Sequence, residues 1–451
     1  MNRRDRRAAA KQGNAEAICA AAAALKAQGR LEAAVKRYRE AIEVAPQSVV
    51  AHNNLANVLT ELGRTDEAVA HLRAALAAAP AAVQVHNNLG NALRRQGDTA
   101  AAVAYYRQAI AHKPDFAEAH LNLGSTLAAL GDTAAALAHL DRAVALRPFH
   151  AESRIRLGLA LVEAGDTAAA LGCAEVAART AQEPGFPLRL LGLLLARCGA
   201  TEPARACLEA VLARDPEDRD GTRLLLARLG AVPLPERASD RQIESLYAAR
   251  AAGWDAGAGP HAYRGAALVA DALARTSPEG LLDIADTGCG TGLVGVLVKH
   301  RARRLDGVDL SAPMIAQARA KALYDTLHQG DLVAFLLARP AAFDAVTCAA
   351  TLIHFGDLAP ALAAAATALR DGGVVVATLF PNADDPDAVA VGSLDGLAQG
   401  GCFVHGRAYV ERTAAAAGFA VEILEEAVHE HQAGRDRTAL VVGLRRRSRD
   451  S

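Results

Sequence analysis

The sequence is short of net charge, of paired cysteines and of any long apolar run, and each shortage closes off a class of function. With 49 basic and 50 acidic side chains the formal charge is −1, so no excess of either sign draws the chain to nucleic acid or to a membrane surface. The seven cysteines, at 19, 173, 198, 207, 289, 348 and 402, never form a C-x-x-C pair. That argues against a zinc knuckle or a redox dithiol, leaves no metal site to expect, and reads as reduced thiols in a cytoplasmic protein. No stretch is apolar for long enough to cross a bilayer. The arginine-rich start, Met1–Lys11, has no apolar core behind it, because the alanine run that follows is broken by Glu16, Lys26 and Gln28. It also lacks serine, so it reads as a disordered basic lead-in over residues 1–14 rather than a transit peptide. At 451 residues the chain is too long for one core, and two or three domains are expected.

What the chain does have is a period. Glycines stand at 29, 63, 97, 131, 165 and 199, each 34 residues after the last, and Pro46, Pro80, Pro114, Pro148 and Pro216 keep the same step. Leu89-Gly90, Gly97-Asp98, Ala102, Tyr106, Ala109 and Pro114 return one unit earlier as Leu55-Ala56, Gly63, Ala68, Leu72, Ala75 and Pro80. This length and pattern resemble the tetratricopeptide repeat, a helical hairpin that buries its apolar face only against its neighbours. Six repeats are predicted over residues 15–218. The fifth is degenerate, with Gln182 in place of the proline and Pro184 after it. A solvating cap helix is expected at Arg219–Leu229 within a capping and linker segment, 219–238.

One register in the first helix of the middle repeats carries Asn54, Asn88 and Asn122, and another carries His52, His86 and His120. The asparagine ladder resembles the one in the superhelix of O-linked N-acetylglucosamine transferase. Carboxamides both donate and accept, so the ladder could hold the backbone of a protein or peptide on the concave face; the alternative is local capping between helices. The ladder stops at Ala20, Arg156 and Leu190. The histidines, one per repeat, lack metal-ligand spacing and suit packing.

After the proline-broken segment Ala231–Ala238, the pattern changes to alternating strands and helices, with strands expected at Leu281–Asp286, Arg304–Asp309, a short one ending near His328, Phe343–Ala349 and Gly373–Leu379. A final pair, Ala420–Glu426 and Thr438–Leu444, reads as an antiparallel hairpin. Leu281–Leu293, LLDIADTGCGTGL, runs a buried strand into a bare glycine turn and a helix, with Asp286 at the strand end. Asp309 and Asp331 end the next two strands. Two cofactor readings compete here. D-x-G-x-G-x-G resembles the first motif of class I S-adenosylmethionine-dependent methyltransferases, whereas Gly290-Thr-Gly-Leu-Val-Gly295 matches the G-x-G-x-x-G dinucleotide fingerprint of nicotinamide oxidoreductases. Placement favours the first, because a carboxylate before the loop repels a pyrophosphate and attracts the ammonium of a methionine moiety.

The whole chain is thus similar to bacterial proteins that fuse these repeats to such a domain, an α solenoid followed by an α/β Rossmann-like class I methyltransferase domain (239–451) with a C-terminal antiparallel hairpin. The resemblance implies S-adenosyl-L-methionine as cofactor, held by Asp286, Gly288, Cys289, Gly290, Gly292, Asp309, Leu310, Met314, Asp331, Leu332 and Cys348, with Tyr247 and Trp254 as a lid. Asp283, also in the first strand, competes with Asp286 for the role of working carboxylate. Methyl transfer needs no universal catalytic side chain; His354, His261 and His405 are the candidates for a base. The acceptor is open, and a scaffold that binds the cofactor without turnover is the other reading.

Overall fold

The computed structural model describes residues 3–179, 185–251, 254–255, 263–277, 280–392, 402–432 and 435–448. Gln182, Pro184 and His261, all singled out above, lie outside the described residues. The chain divides into two compact units, Met1–Gln182 and Glu183–Ser451. Among the described residues no helix is long and apolar enough to cross a membrane.

The first unit consists of helical hairpins: α1 (Arg3–Ala27) with α2 (Leu31–Val44), α3 (Val49–Glu61) with α4 (Thr65–Ala78), α5 (Val83–Arg95) with α6 (Thr99–His112), α7 (Ala117–Ala129) with α8 (Thr133–Leu146), and α9 (Ala151–Glu163) with α10 (Thr167–Ala178). The 34-residue period has a backbone cause. Gly29, Gly63, Gly97, Gly131 and Gly165 all take left-handed φ values between 72° and 87°, which end one helix without side-chain strain and start the next. Asp98, Asp132 and Asp166 then cap that helix, accepting from the amides of Ala101, Ala135 and Ala169 at 3.0, 3.1 and 3.0 Å. Gly90 lets the hairpin close, since a Cβ there would lie 2.5 Å from the ring of Tyr106. Leu55, Leu89 and Leu123 meet Leu72, Tyr106 and Leu140 in a continuous core.

Two expectations about this half are corrected. Helix α1 begins at Arg3, inside the stretch expected to be disordered, because alanine and arginine are strong helix formers and the helix simply continues backwards. The sixth hairpin, α11 (Leu188–Arg197) and α12 (Thr201–Arg214), falls in the second unit. There the expected solvating cap is α13 (Thr222–Arg228), whose Leu224, Leu225 and Leu226 are buried. Three leucines in a row are a packing surface, not a solvated one.

The rest of the second unit is a seven-stranded sheet in the order β3-β2-β1-β4-β5-β9-β8. Its strands are β1 (Leu282–Thr287), β2 (Ala302–Asp309), β3 (Thr326–Gln329), β4 (Phe343–Cys348), β5 (Leu369–Leu379), β8 (Phe419–Gln432) and β9 (Arg435–Arg446). β6 (Val389–Val391) and β7 (Phe403–His405), absent from the sequence expectation, pair separately. The first five strands are parallel; β9 runs antiparallel to both β5 and β8. Among the described residues, seven helices accompany the sheet: α14 (Asp240–Arg250), α15 (Gly265–Thr276), α16 (Leu293–Val298), α17 (Ala312–Ala320), α18 (Leu332–Leu337), α19 (Ala359–Ala368) and α20 (Arg407–Ala416). Pro313 lies in the first turn of α17, where a proline costs no hydrogen bond, and Ser311 at its N-cap makes no side-chain capping bond. The β8–β9 hairpin overshoots its expected ends because polar residues such as Glu430 and Arg437 pair as well as apolar ones do. The segment expected as a linker is stitched down: Ala238 N–H donates to His354 O at 2.8 Å, and Gly356 N–H to Glu236 O at 2.7 Å.

The repeated histidines are packing residues, as their register suggested. Each is buried, and His52, His86 and His120 give Nε2–H to the carbonyls of Pro46, Pro80 and Pro114 at 3.0, 2.7 and 3.1 Å. With that nitrogen committed as donor, Nδ1 of His52 and of His120 accepts from Nδ1–H of His71 and of His139, each at 3.0 Å. Burial foremost, and then the neighbouring imidazole, holds His71 and His139 below the ordinary histidine value; burial does the same for His120. A proton on both rings of a pair would set two donors face to face. Since the folded values are depressed, the unfolded chain takes up protons first, so stability is full above about pH 6.5 and falls as the pH drops below it. Far-UV circular dichroism melts should show the helical transition moving down between about pH 7.5 and 5, and His71→Gln with His139→Gln should flatten that dependence. An unchanged slope in the double variant would refute the assignment.

Candidate functional site

In a parallel sheet the order of strands reverses between β1 and β4, and the crevice outside their carboxyl ends is where ligands bind. A cleft of about 840 Å³ opens there. Its floor is the loop after β1. Gly288 takes φ +68°, and a Cβ on it would strike the side chain of Thr351 at 2.0 Å, so no other residue fits. The loop is tied to β2 from both sides: Gly288 and Cys289 donate to Val308 O, and Gly290 N–H donates to Asp309 Oδ2 at 2.9 Å.

The predicted residues separate into two groups. Gly288, Cys289, Gly290, Asp309, Leu310, Met314, Asp331, Leu332, Tyr247 and Trp254 all line the cleft. Asp309 also accepts from Ser311 N–H at 2.8 Å, so each carboxylate oxygen holds one backbone donor and keeps lone pairs for a ligand hydroxyl; burial raises its pKa. Asp331 caps α18 through Ala334 N–H at 2.9 Å and pairs with Arg237 at 2.7 Å. Arg237, from the supposed linker, is a cleft residue the sequence reading missed.

Asp286, Gly292 and Cys348 do not line the cleft. Asp286 is fully buried; Tyr324 O–H donates to Oδ2 at 2.6 Å and Thr347 O–H to Oδ1 at 2.9 Å. Its expected role of attracting a ligand ammonium is therefore corrected. Side chains alternate along a strand, and Asp286 shares its face with Ile284, which packs into the cluster built on α15 and α16. Burial pushes its carboxyl up to about 6. Asp283 is no competitor, because Arg303 clasps both its oxygens at 2.9 and 2.6 Å and Arg370 adds a third bond at 2.9 Å. Those guanidiniums hold it down at about 2.

Of the histidine candidates, His354 lines the cleft and His405 does not. His405 is fully buried and hydrogen-bonds the carbonyl of Phe355 at 2.8 Å, a structural post. His354 Nε2 lies 2.9 Å from the hydroxyl of Tyr247; burial lowers its pKa to about 4, so it is neutral near pH 7. Tyr247 packs edge-on against Trp254, 5.7 Å between ring centroids.

The asparagine ladder is spent partly on the fold. Asn88 donates to Asn53 and Asn122 to Asn87, each at 2.8 Å. The amides thus bridge successive repeats, through a second asparagine that went unremarked in the sequence because attention fell on one register. Among the described residues no group of side chains could hold a metal ion.

The comparisons with known proteins bear on this geometry. A family model described as methyltransferase domain matches residues 284–373. Tetratricopeptide-repeat models match 22–63, 47–115, 87–151 and 125–185. The chain carries tetratricopeptide repeats and a methyltransferase domain. Its methyltransferase domain is similar to a dTDP-3-amino-3,6-dideoxy-alpha-D-glucopyranose N,N-dimethyltransferase of Streptomyces fradiae, 38% identical over 147 residues, 31% of this chain and 56% of the relative. A ubiquinone biosynthesis O-methyltransferase of Sodalis glossinidius is 32% identical over 97 residues, 21% of this chain and 39% of the relative. The chain therefore spans about half the length of the curated relatives it matches. A SAM-dependent methyltransferase of Methanosarcina mazei is similar in structure, with 12% identity, a TM-score of 0.32, and coverage of 38% of this chain and 94% of that one.

The Asp286 node yields a stability prediction. Tyr324→Phe removes a charge-assisted bond and should cost about 1.5–3 kcal/mol when the carboxylate is ionised. The folded pKa of Asp286 is raised, so its protonated form favours folding at low pH, and that contribution fades as the pH rises through about 6. Denaturant unfolding followed by the fluorescence of Trp254 should show a larger deficit in the variant at about pH 8 than at about pH 5; equal deficits would count against the node.

Proposed function

We propose that the cleft binds S-adenosylmethionine and that the methyltransferase domain transfers its methyl group to an acceptor, while the repeats hold a protein partner. The observation that carries this reading is Asp309: a strand-end carboxylate joined to the glycine loop, facing an 840 Å³ cleft at the strand-order reversal. Its free lone pairs suit the two hydroxyls of a ribose. Met314, Leu310 and Leu332 supply apolar walls for a nucleobase, and the glycine backbone admits a ligand chain against it. Bound there, the sulfonium supplies an electrophilic methyl group, and the chain's own part is to orient the partners and keep water out. Among the described lining residues Arg237 is the one cation, and it is paired with Asp331.

For the repeats, support comes from the middle ladder: Asn54, Asn88 and Asn122 are partly exposed, and a carboxamide that gives one N–H to its neighbour keeps a second N–H for a peptide carbonyl.

Calorimetry should show S-adenosylmethionine and S-adenosylhomocysteine binding, and no binding of NAD or NADP. Asp309→Ala should weaken that binding by about ten- to a hundredfold, the loss of about 1.4–2.8 kcal/mol. Labelled S-adenosylmethionine added with cell extract should transfer label. Absence of cofactor binding by the intact protein would end the proposal.

A further inference from the structure

Beyond Tyr247 and Trp254 the cleft opens into a second compartment of about 690 Å³, which none of the readings above assigns. The two spaces share Tyr247, Trp254, Tyr263, Ala350 and His354, and these residues frame the passage between them. The far wall of the second space comes from the overshoot of the β8–β9 hairpin, which delivers His429, Glu430 and Arg437. His429 is 2% exposed, and neither of its ring nitrogens has a hydrogen-bond partner in the protein. Nδ1 of His354, at the passage, also lacks one. Buried polar groups left unpaired are costly, which points to a molecule that fills the second compartment. On the methyl-transfer reading that molecule is the acceptor, and the methyl group crosses at the passage.

The donor carries its charge at that crossing, because the methyl group is bonded to the positive sulfur. A carboxylate would be the simplest counterpart, but the acids near the cleft are committed elsewhere. Asp286 lies beneath the loop with its oxygens taken by Tyr324 and Thr347. Asp309 is joined to the glycine loop through Gly290, and Asp331 is paired with Arg237. Among the described residues that the two spaces share, none bears a carboxylate. The charged side chains of the second compartment, Arg250, Glu430 and Arg437, stand outside the shared set, and Glu430 is paired with Arg437 at 3.0 Å.

What the passage offers is rings. Trp254 stands edge-on to Tyr247 at 5.7 Å between centroids, and is inclined by 57° to Tyr263 at 5.8 Å. His354 is perpendicular to Tyr247 at 5.6 Å. Burial lowers the pKa of His354 to about 4, so it brings no positive charge to the passage at neutral pH. The π-face of a tyrosine or tryptophan attracts a cation within about 6 Å of the ring centroid. Successive centroids here lie closer together than that reach, so the three rings act on a cation in the passage as one surface.

We propose that Tyr247, Trp254 and Tyr263 form a cation subsite for the sulfonium of the methyl donor, holding its charge at the mouth of the second compartment and adding to its affinity a part that the spent donor lacks. The assignment rests on the methyl-transfer reading above. In the transfer a lone pair of the acceptor bonds to the methyl carbon while the carbon–sulfur pair stays on sulfur. The positive charge passes to the acceptor, which sheds a proton to solvent, and the sulfur becomes a neutral thioether. A neutral sulfur draws nothing from the ring quadrupoles, so the collar distinguishes the two forms of the cofactor where shape alone differs by one methyl group.

Calorimetry of the full chain tests this with three ligands: S-adenosylmethionine, the neutral S-adenosylhomocysteine, and sinefungin, in which an amine-bearing carbon replaces the methylated sulfur. Trp254→Leu and Tyr263→Leu should each weaken both cations about three- to tenfold relative to S-adenosylhomocysteine, the loss of up to about 1.4 kcal/mol. Binding of S-adenosylhomocysteine should persist in both variants, which also certifies the fold. Trp254→Phe and Tyr263→Phe, which keep a ring, should recover most of the preference. Equal losses for charged and neutral ligands are what a packing role alone would give, and they overturn the proposal. So does an unchanged ratio in the leucine variants. Failure of the native chain to bind any of the three is a different result: it overturns the methyl-transfer reading and this proposal with it.

Discussion

One tyrosine reaching one buried carboxylate fixes the geometry on which the second unit depends. The ring of Tyr324 fits only because Gly292, Gly295 and Gly307 carry no side chains; Cβ atoms there would lie 3.1, 2.5 and 2.9 Å from it. Those glycines come from the loop, from α16 and from β2. Their absent side chains let the hydroxyl close on Asp286 beneath the loop, while Thr347 closes from β4. A carboxylate in such a place is costly unless hydrogen-bonded on both oxygens, and satisfying it locks three consecutive neighbours of the sheet into one arrangement. The ligand-facing side of the loop is then free to be bare backbone.

This division of labour explains what could be read from the sequence. The place of the glycine loop, Asp309 and Asp331 on the cleft was legible because strand, turn and acid are near one another in the chain and their positions follow from local backbone geometry. Asp286 was assigned to the cleft by proximity, although the two-residue alternation of strands already placed it on the face of Ile284. Tyr324 was out of reach, since nothing local marks a tyrosine whose partner is 38 residues away. His429 and Arg437 were hidden for another reason: they lie in a polar extension of a hairpin, and hydrophobic patterning stops where such an extension begins.

The repeats show the opposite case. There the period itself was the evidence, and each recurring residue has a recurring job: the left-handed glycine, the aspartate cap, the alanine or glycine that admits the next helix, the histidine that holds the proline carbonyl. What the period concealed was pairing across units. Asn53 and Asn87 belong to the same ladder as Asn88 and Asn122, because neighbours in a solenoid touch one repeat away and not within the repeat.

The stitched segment before Ser239 has a consequence for how the protein can be taken apart. Arg237 lies across Asp331, and the backbone from Glu236 to Ala238 is bonded to the turn that bears His354. The segment is therefore part of the second unit's packed structure and not a free tether, whatever its prolines suggest. A catalytic fragment excised at the apparent seam would lose a wall of its own binding cleft, so the smallest piece that keeps the site whole must begin upstream of the boundary that composition marks.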